Sequence, residues 1–181
     1  MPQYKRARFG IIYFFTVVTY NRQPILCRTP CTDIFRSILG NVQNKYPFVL
    51  DAIVLLPDHL HCIWTLPDGD TNYSMRWGLI KKEFTKQARN MVGEAHPTQS
   101  RQRHREAMIW QRRFWEHQIR NDEDWRRHMD YIHYNPVKHG YVNAPKDRKL
   151  SSFHRHVKSG LYDENWGGGI TLEFNDDVGR E

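Results

Sequence analysis

The chain has 181 residues, of which 39% are hydrophobic and 13% aromatic, a composition that excludes a disordered chain and suits one folded domain. Its net charge of +7 fits a nucleic-acid partner, since cations bind phosphates and rings stack on bases, although other basic proteins share this composition. Three cysteines, an odd number, argue against a disulfide-stapled secreted protein.

The N-terminal sequence MPQYKRARFG lacks the apolar centre of a signal peptide. No apolar run approaches the length needed to span a membrane. We therefore expect a cytoplasmic protein with no membrane partner.

The first half of the chain begins with a strand pattern and then a helix pattern. β-branched and aromatic residues predict a strand near Ile11–Tyr20. In CTDIFRSILGNVQNKY apolar residues recur every four positions, which predicts a helix. Thr29 or Thr32 is a candidate N-cap for that helix.

A tight turn separates two apolar runs in the middle of the chain. The runs PFVLDAIVLLP and HCIWTLP predict an antiparallel pair of strands joined by Pro57 and Asp58, so that the third strand begins at His59. The sequence TNYSMRWGLIKKEFTKQARNMV predicts a second helix with one apolar face. The other surfaces of this helix are expected to carry its basic residues, facing either solvent or phosphates: Arg76, Lys81, Lys82, Lys86 and Arg89.

The second half continues with a polar loop, GEAHPTQSRQRHREA, and a fourth strand within MIWQRRFWEHQIR. Asn121 is a candidate N-cap for a third helix with an acidic first turn, and Pro136 is expected to end that helix near Asn135. A short helix is expected near Ser151–Ser159.

This order predicts an α+β, ferredoxin-like fold of the RRM or palm type. It has an antiparallel sheet with helices on one face, followed by a further helix and a C-terminal tail. We expect a main domain over residues 1–142 and an extension over residues 143–181.

The third predicted strand carries two histidines, His59 and His61, on either side of Leu60. Alternate residues of a strand point to the same face, about 6.6–6.8 Å apart along the strand. Both imidazoles can therefore converge on one metal ion while Leu60 enters the core. The alternative is a pair of surface histidines on a half-exposed strand.

The third predicted helix carries Tyr131 and Asn135, which are four positions apart and so about 40° apart on one face. A phenol and a carboxamide can thus reach the same place. The alternative is a packed tyrosine near the end of a helix. Tyr134 is a rival nucleophile, but it turns away from Tyr131.

Together these motifs resemble the single-tyrosine HUH transposases, and more closely the REP-associated tyrosine transposases, named for repetitive extragenic palindromes. His59-Leu60-His61 matches the His-hydrophobic-His motif, and YIHYN, beginning at Tyr131, matches the tyrosine helix. WQRRFWEHQIR and YNPVKHGYV resemble signatures of that subgroup. The resemblance runs from roughly Tyr13 to Val157. The insertion-sequence enzymes commonly place Gln at the position of Asn135.

The resemblance implies cleavage and rejoining of single-stranded DNA. Tyr131 would attack a phosphodiester to form a 5′-phosphotyrosine link and a free 3′-hydroxyl. His59, His61 and Asn135 would hold a divalent cation, Mg²⁺ or Mn²⁺, that stabilises the charge of the transition state. The substrate would be a hairpin with a short tetranucleotide at its foot, and the protein would be a monomer. The tail would bind that tetranucleotide or fold back over the active site.

Other residues have two interpretations. His128, one turn before Tyr131, is a candidate auxiliary residue or a surface histidine, and Asp58 orients a ligand histidine or simply forms the turn. The candidate DNA contacts, each of which has a solvated surface cation as its alternative, are Arg76, Lys81, Lys82, Arg112, Arg113, Arg120, Lys138 and Arg155.

Two other functions are consistent with the same residues. A non-catalytic module would bind single-stranded nucleic acid on its sheet, as RRM domains do, although an RRM-type aromatic signature is not evident. A protein with a structural zinc at its histidines would lose stability on chelation, whereas a catalytic site would lose activity first.

Overall fold

The computed structural model describes residues 10–92, 109–175 and 178–179. The strands are β1 (Ile12–Val18), β2 (Val49–Leu55), β3 (His59–Thr65) and β4 (Trp115–Gln118). The α-helices are α1 (Thr29–Lys45), α2 (Tyr73–Ala88), α3 (Asp122–Lys138) and α4 (Phe153–Lys158). The predicted order of strands and helices is confirmed.

The four strands form one antiparallel sheet in the order β2-β3-β1-β4. β1 and β2 run in the same direction with β3 between them, because α1 carries the chain across the sheet. This split arrangement is the ferredoxin-like topology, and the predicted α+β class is confirmed.

Side chains that alternate along the strands pack into two separate layers. On one face Phe15 and Leu60 pack with residues of α1 and α2, and the stacked indoles of Trp64 and Trp77 have ring centroids 4.5 Å apart. On the other face Phe14 packs with residues of α3. Helices therefore cover both faces, and α3 lies against the face of β3 that carries the two histidines.

The start of α1 differs from the prediction. Its N-cap is Arg28, and no side chain caps it. Pro30 lies in the first turn, where its missing N–H leaves no helical hydrogen bond unmade. The Thr32 hydroxyl donates instead to the carbonyl oxygen of Leu26, at 2.8 Å. The predicted cap at Thr29 or Thr32 is therefore wrong.

The end of α3 also differs from the prediction. The helix continues to Lys138, so the expected end near Asn135 is wrong. Pro136 lies in the last turn, where its ring removes only one N–H donor while the backbone keeps helical geometry. The helix stops just before Gly140, whose φ of 70° is left-handed and easily adopted by glycine.

Other predictions for the second half are confirmed. The side-chain oxygen of Asn121 caps α3 by accepting a hydrogen bond from the amide of Asp124 at 2.9 Å. α4 lies within the predicted Ser151–Ser159 segment. The predicted loop at residues 93–107 is outside the described residues. Among those described, no helix is both long and apolar enough to cross a membrane.

Candidate active site

β3 carries both histidines of the motif on the face that α3 covers. Their ring centroids lie 5.0 Å apart, and 1% of His59 and none of His61 is exposed. Leu60 packs in the opposite layer, with α1 and α2. The prediction that the spacing of two puts both imidazoles on one face and Leu60 in the core is confirmed.

A hydrogen bond to Nδ1 orients each imidazole. The Asp58 carboxylate lies 2.7 Å from Nδ1 of His59, and the Thr16 hydroxyl lies 2.9 Å from Nδ1 of His61. Burial acts to raise the pKa of Asp58, but the hydrogen bonds from His59 and Arg22 outweigh it and lower that pKa. Asp58 therefore both forms the turn and orients His59, and each of these contacts orients its ring through Nδ1.

α3 brings Tyr131 and Asn135 to the histidines. The ring centroid of Tyr131 lies 5.1 Å from that of His61, and the carboxamide nitrogen of Asn135 lies 3.2 Å from Nε2 of His61. The predicted common face of these two helix residues is confirmed. Tyr134 points elsewhere, because its hydroxyl donates to the carbonyl oxygen of Ile170 at 2.7 Å.

The Tyr131 hydroxyl has two neighbours outside the histidine pair. It donates a hydrogen bond to the carbonyl oxygen of Gly179 at 2.9 Å, and Nζ of Lys138 lies 3.3 Å from it. The Lys138 ammonium also lies 4.9 Å from the centre of the Tyr131 ring. A Cβ built on Gly179 would lie 2.1 Å from Cε1 of Tyr131. Glycine therefore allows the C-terminal tail to lie directly against Tyr131.

Two imidazoles and one carboxamide make a donor set that fits a divalent cation. Nitrogen ligands suit a first-row transition ion such as Mn²⁺ better than Mg²⁺, which favours oxygen ligands and keeps several waters. The side-chain bonds at Nδ1 of His59 and His61 are the kind that orient metal-binding imidazoles. The residues His59, His61 and Asn135 are thus suited to hold such an ion.

Arg76 lies in a different environment from the one predicted. Its guanidinium is buried, with 2% exposed, and pairs with the Asp70 carboxylate at 2.6 Å. It also donates to the carbonyl oxygens of Tyr46 and Pro47 at 3.1 and 3.0 Å. The predicted surface position and phosphate contact are therefore wrong for Arg76, which instead ties α2 to the end of α1.

The other candidate DNA contacts fall into two groups. Lys81, Lys138 and Arg155 make protein contacts: the Lys81 ammonium donates to the carbonyl of Gln111, and Arg155 donates to the carbonyl of Asp51. Burial lowers the pKa of Lys81 to about 8. All of these candidates except the half-buried Lys81 are exposed, and Lys82, Arg112, Arg113 and Arg120 form the second group.

His128 is not a surface residue, so that interpretation was wrong. It is 1% exposed, and burial lowers its pKa. Its Nδ1 lies 2.8 Å from the backbone carbonyl oxygen of Asp124, and Nε2 of His117 lies 2.8 Å from the Asp124 carboxylate. Neither His117 nor Asp124 was predicted as a site residue from the sequence. The only sequence signal was the four-residue spacing of Asp124 and His128 on one helix face.

Comparison with known families and proteins agrees with this geometry. The family model described as "Transposase IS200 like" matches residues 7–135. A REP-associated tyrosine transposase of Escherichia coli K12 is 44% identical over 172 residues, which cover 94% of each chain. A Haemophilus influenzae protein named as a candidate REP-associated tyrosine transposase is 46% identical over 179 residues, covering 98% of this chain and all of its own.

A solved structure has the same architecture. It is described as a REP-associated tyrosine transposase bound to a REP hairpin. It superposes with a TM-score of 0.77 and 42% sequence identity, and the match covers 100% of this chain and 98% of the other. The likeness thus extends over the tail as well as the sheet.

Proposed function

Because this chain belongs to the IS200-like transposase family, and within it to the REP-associated tyrosine transposases, we propose that it nicks and rejoins single-stranded DNA beside hairpin-forming repeats. Tyr131 is the nucleophile of this reaction. The observation that carries the proposal is the packing of the Tyr131 ring 5.1 Å from His61, next to Asn135 and His59.

The reaction is a transesterification. The Tyr131 oxygen attacks a backbone phosphorus and releases its proton to solvent, while the bond from phosphorus to the 3′-oxygen breaks and that oxygen takes up a proton from solvent. The products are a 5′-phosphotyrosine link and a free 3′-hydroxyl, and a 3′-hydroxyl that attacks the link reverses the step. The phosphotyrosine link conserves the energy of the broken phosphodiester bond, so rejoining needs no high-energy cofactor.

The main obstacle to this attack is charge, since a phenolate must approach a phosphate anion. His59, His61 and Asn135 would hold a divalent ion, which would supply Lewis-acid polarisation of that phosphate. The Lys138 ammonium, 3.3 Å from the Tyr131 oxygen, favours the phenolate over the phenol. Asp58 and Thr16 hold the imidazoles in one orientation, so these two rings do not have to reorient when the DNA arrives.

The protein holds the DNA stem mainly through attraction between its cationic side chains and the phosphates of the DNA backbone. Lys82, Arg112, Arg113 and Arg120 are exposed cations, and the bond from Lys81 to the carbonyl of Gln111 brings the segment of Arg112 close to α2. Phosphate contacts of this kind position a duplex without reading its sequence. The solved relative bound to a REP hairpin supports a substrate of that class.

The extension over residues 143–181 acts as a cover for the active site. Its Gly179 carbonyl accepts a hydrogen bond from the Tyr131 hydroxyl, and Val178 is buried in the layer beneath α3. A phenol in this hydrogen bond is not positioned for attack, so residues 178–179 must move before cleavage. This interpretation favours the cover over the tetranucleotide-binding role for this part of the tail.

The protein acts as a monomer. Tyr131 reaches the histidines of its own chain, so an exchange of tyrosine helices between two chains is not required to assemble the site. A molar mass near 21.8 kDa by light scattering would support this arrangement.

A covalent-adduct assay tests the function. The protein is incubated with a hairpin oligonucleotide carrying a single-stranded foot and with Mn²⁺ or Mg²⁺, and the adduct is resolved on a denaturing gel. Tyr131→Phe should abolish the adduct, whereas Tyr134→Phe, whose hydroxyl bonds to Ile170, should retain it. An undiminished adduct with Tyr131→Phe would remove Tyr131 from the mechanism.

The non-catalytic alternative makes the opposite prediction. Normal hairpin binding with no adduct under any divalent metal would favour it. Binding on an open sheet face, as in RRM domains, is disfavoured, because α1 and α2 cover one face and α3 packs on the other.

A further inference from the structure

A second cluster of ligand-type side chains lies where β4 meets the first turns of α3. Nε2 of His117 is 2.8 Å from Oδ2 of Asp124, and Nδ1 of His128 is 3.1 Å from Oδ1 of the same carboxylate. One ligand atom from each of the three residues lies within 4.8 Å of the other two. The imidazoles stack nearly parallel, with ring centroids 4.6 Å apart.

The hydrogen bonds within this cluster do not account for all of its polar atoms. Nε2 of His128 is buried and has no hydrogen-bond partner among the described residues. A buried polar nitrogen without a partner is unfavourable, so it requires an explanation. A ligand that recruits the His128 imidazole would provide one.

The cluster lies at the wall of an open pocket. The pocket has a volume of about 460 Å³, and its lining includes His117, Asp124 and the side chains of Trp115, Arg120 and Arg127. His117 is 20% exposed, so an ion can enter from solvent while Asp124 and His128 remain buried. Such a pocket leaves room for a water molecule or a substrate group beside the three protein ligands.

We propose that His117, Asp124 and His128 form a second metal site, separate from the one at His59 and His61, that binds a transition ion such as Zn²⁺. Two imidazoles and one carboxylate with an open fourth position are a common donor set for zinc. The arginines at the pocket oppose a bare cation, but the ionised carboxylate of Asp124 offsets part of their charge. Burial acts to raise the pKa of Asp124, and hydrogen bonds from His117 and the Arg120 amide lower it overall.

The ring of Phe14 separates the two sites. Its centroid lies 4.7 Å from the ring of His128 and 5.6 Å from the ring of His61. The sites are therefore neighbours without a shared ligand. An ion in the second site would tie β4 to α3 one turn before Tyr131, and so would fix the helix that carries the nucleophile.

Zinc binding to the isolated protein tests the proposal. The chain is stripped with a chelator, dialysed against ZnCl₂, and its bound zinc is measured by elemental analysis. A His59→Asn/His61→Asn variant, which lacks the imidazoles of the first site, should still bind one zinc per chain. Adding His117→Gln to that variant should abolish this zinc.

A thermal melt provides a second readout that does not depend on activity. Zinc should raise the Tm of the His59→Asn/His61→Asn variant by several degrees and leave the triple variant unchanged. The single variant His117→Gln serves if the triple variant does not fold, because His117 is partly exposed. It should bind one zinc fewer than the parent chain.

The opposite results would overturn the proposal. A folded His59→Asn/His61→Asn variant without bound zinc would do so, as would a His117→Gln chain that binds as much zinc as its parent. Failure of the adduct assay would not affect this result, because zinc stoichiometry is measured without DNA.

Discussion

The hydroxyl of Tyr131 donates a hydrogen bond to the carbonyl oxygen of Gly179, at 2.9 Å and across 48 positions of sequence. The candidate nucleophile is thus completely buried and bonded to the C-terminal tail. Gly179 has a φ of 68°, a left-handed conformation that side chains rarely adopt. The close approach of the two residues therefore depends on glycine at this position.

Gly179→Ala should accelerate cleavage. The added Cβ would lie 2.1 Å from Tyr131, so the tail must move away and release the hydroxyl. We expect single-turnover adduct formation to rise about tenfold, equivalent to about 1.4 kcal/mol. Gly169→Ala is the matched control, because Gly169 also has a positive φ but open space around its Cα. Equal rates for both variants and the parent chain would argue against a covering tail.

Lys138→Met should slow the attack by Tyr131 without weakening the hairpin complex. The ammonium lies 3.3 Å from the nucleophilic oxygen, and its loss removes stabilisation of the phenolate. The expected loss in single-turnover rate is roughly tenfold to a hundredfold, with partial recovery in Lys138→Arg. Fluorescence anisotropy of a labelled hairpin measures the DNA affinity of the variants and of the parent chain. If affinity falls and the rate at saturating DNA does not, Lys138 is a phosphate contact instead.

Arg76→Met should destabilise the fold and leave DNA affinity unchanged. The substitution breaks the pair with Asp70 and leaves the carbonyl oxygens of Tyr46 and Pro47 without donors. We expect a loss of about 2–3 kcal/mol in urea unfolding, since Asp70 is itself partly exposed. The exposed Lys82→Met should show the reverse pattern. Its stability should change by less than about 0.5 kcal/mol, and its hairpin affinity should fall.

Lys81→Met should stabilise the protein near neutral pH. Burial lowers the pKa of Lys81 from 10.5 to about 8. Between pH 8 and pH 10.5 the unfolded parent chain therefore binds more protons than the folded one, and the stability of the parent rises with pH. At pH 7 the variant should be more stable than the parent by about 1–2 kcal/mol, a figure that already subtracts the lost hydrogen bond to Gln111. Urea unfolding at pH 7 and pH 10 measures this difference.

The advantage of Lys81→Met should shrink toward pH 10, because the parent lysine is then neutral in the folded state. Lys82→Met controls for the loss of one positive charge, since Lys82 is exposed on the same helix. A gain that is equal at both pH values would mean that burial of the charge at Lys81 is not the cause.

Much of the fold could be predicted because its signals are local. The alternation in β3 and the four-residue recurrence in α1 are set by backbone geometry. They therefore predicted the common face of His59 and His61 and the presence of α1. The failures were also local. Pro136 was expected to end α3, but the effect of a proline depends on its place within the helix, and near the C-terminus only one donor is lost.

Burial of charged and polar side chains could not be predicted in the same way. Arg76 lies in a helix rich in surface cations, and only the approach of Asp70 and the end of α1 makes its burial favourable. The burial of His128 depends on contact with His117, which comes from a strand eleven positions earlier. Such contacts join elements whose relative placement is not encoded in a short pattern.

The sequence by itself determined the residue types of the site and their faces: two imidazoles on β3, and a phenol and a carboxamide one turn apart on α3. The tertiary structure alone decided that α3 packs over β3, that Thr16 orients His61, and that Gly179 bonds to Tyr131. The physical reason is distance along the chain. Periodicity constrains neighbours within a few residues, whereas the burial of apolar surface brings together groups 45 or more positions apart.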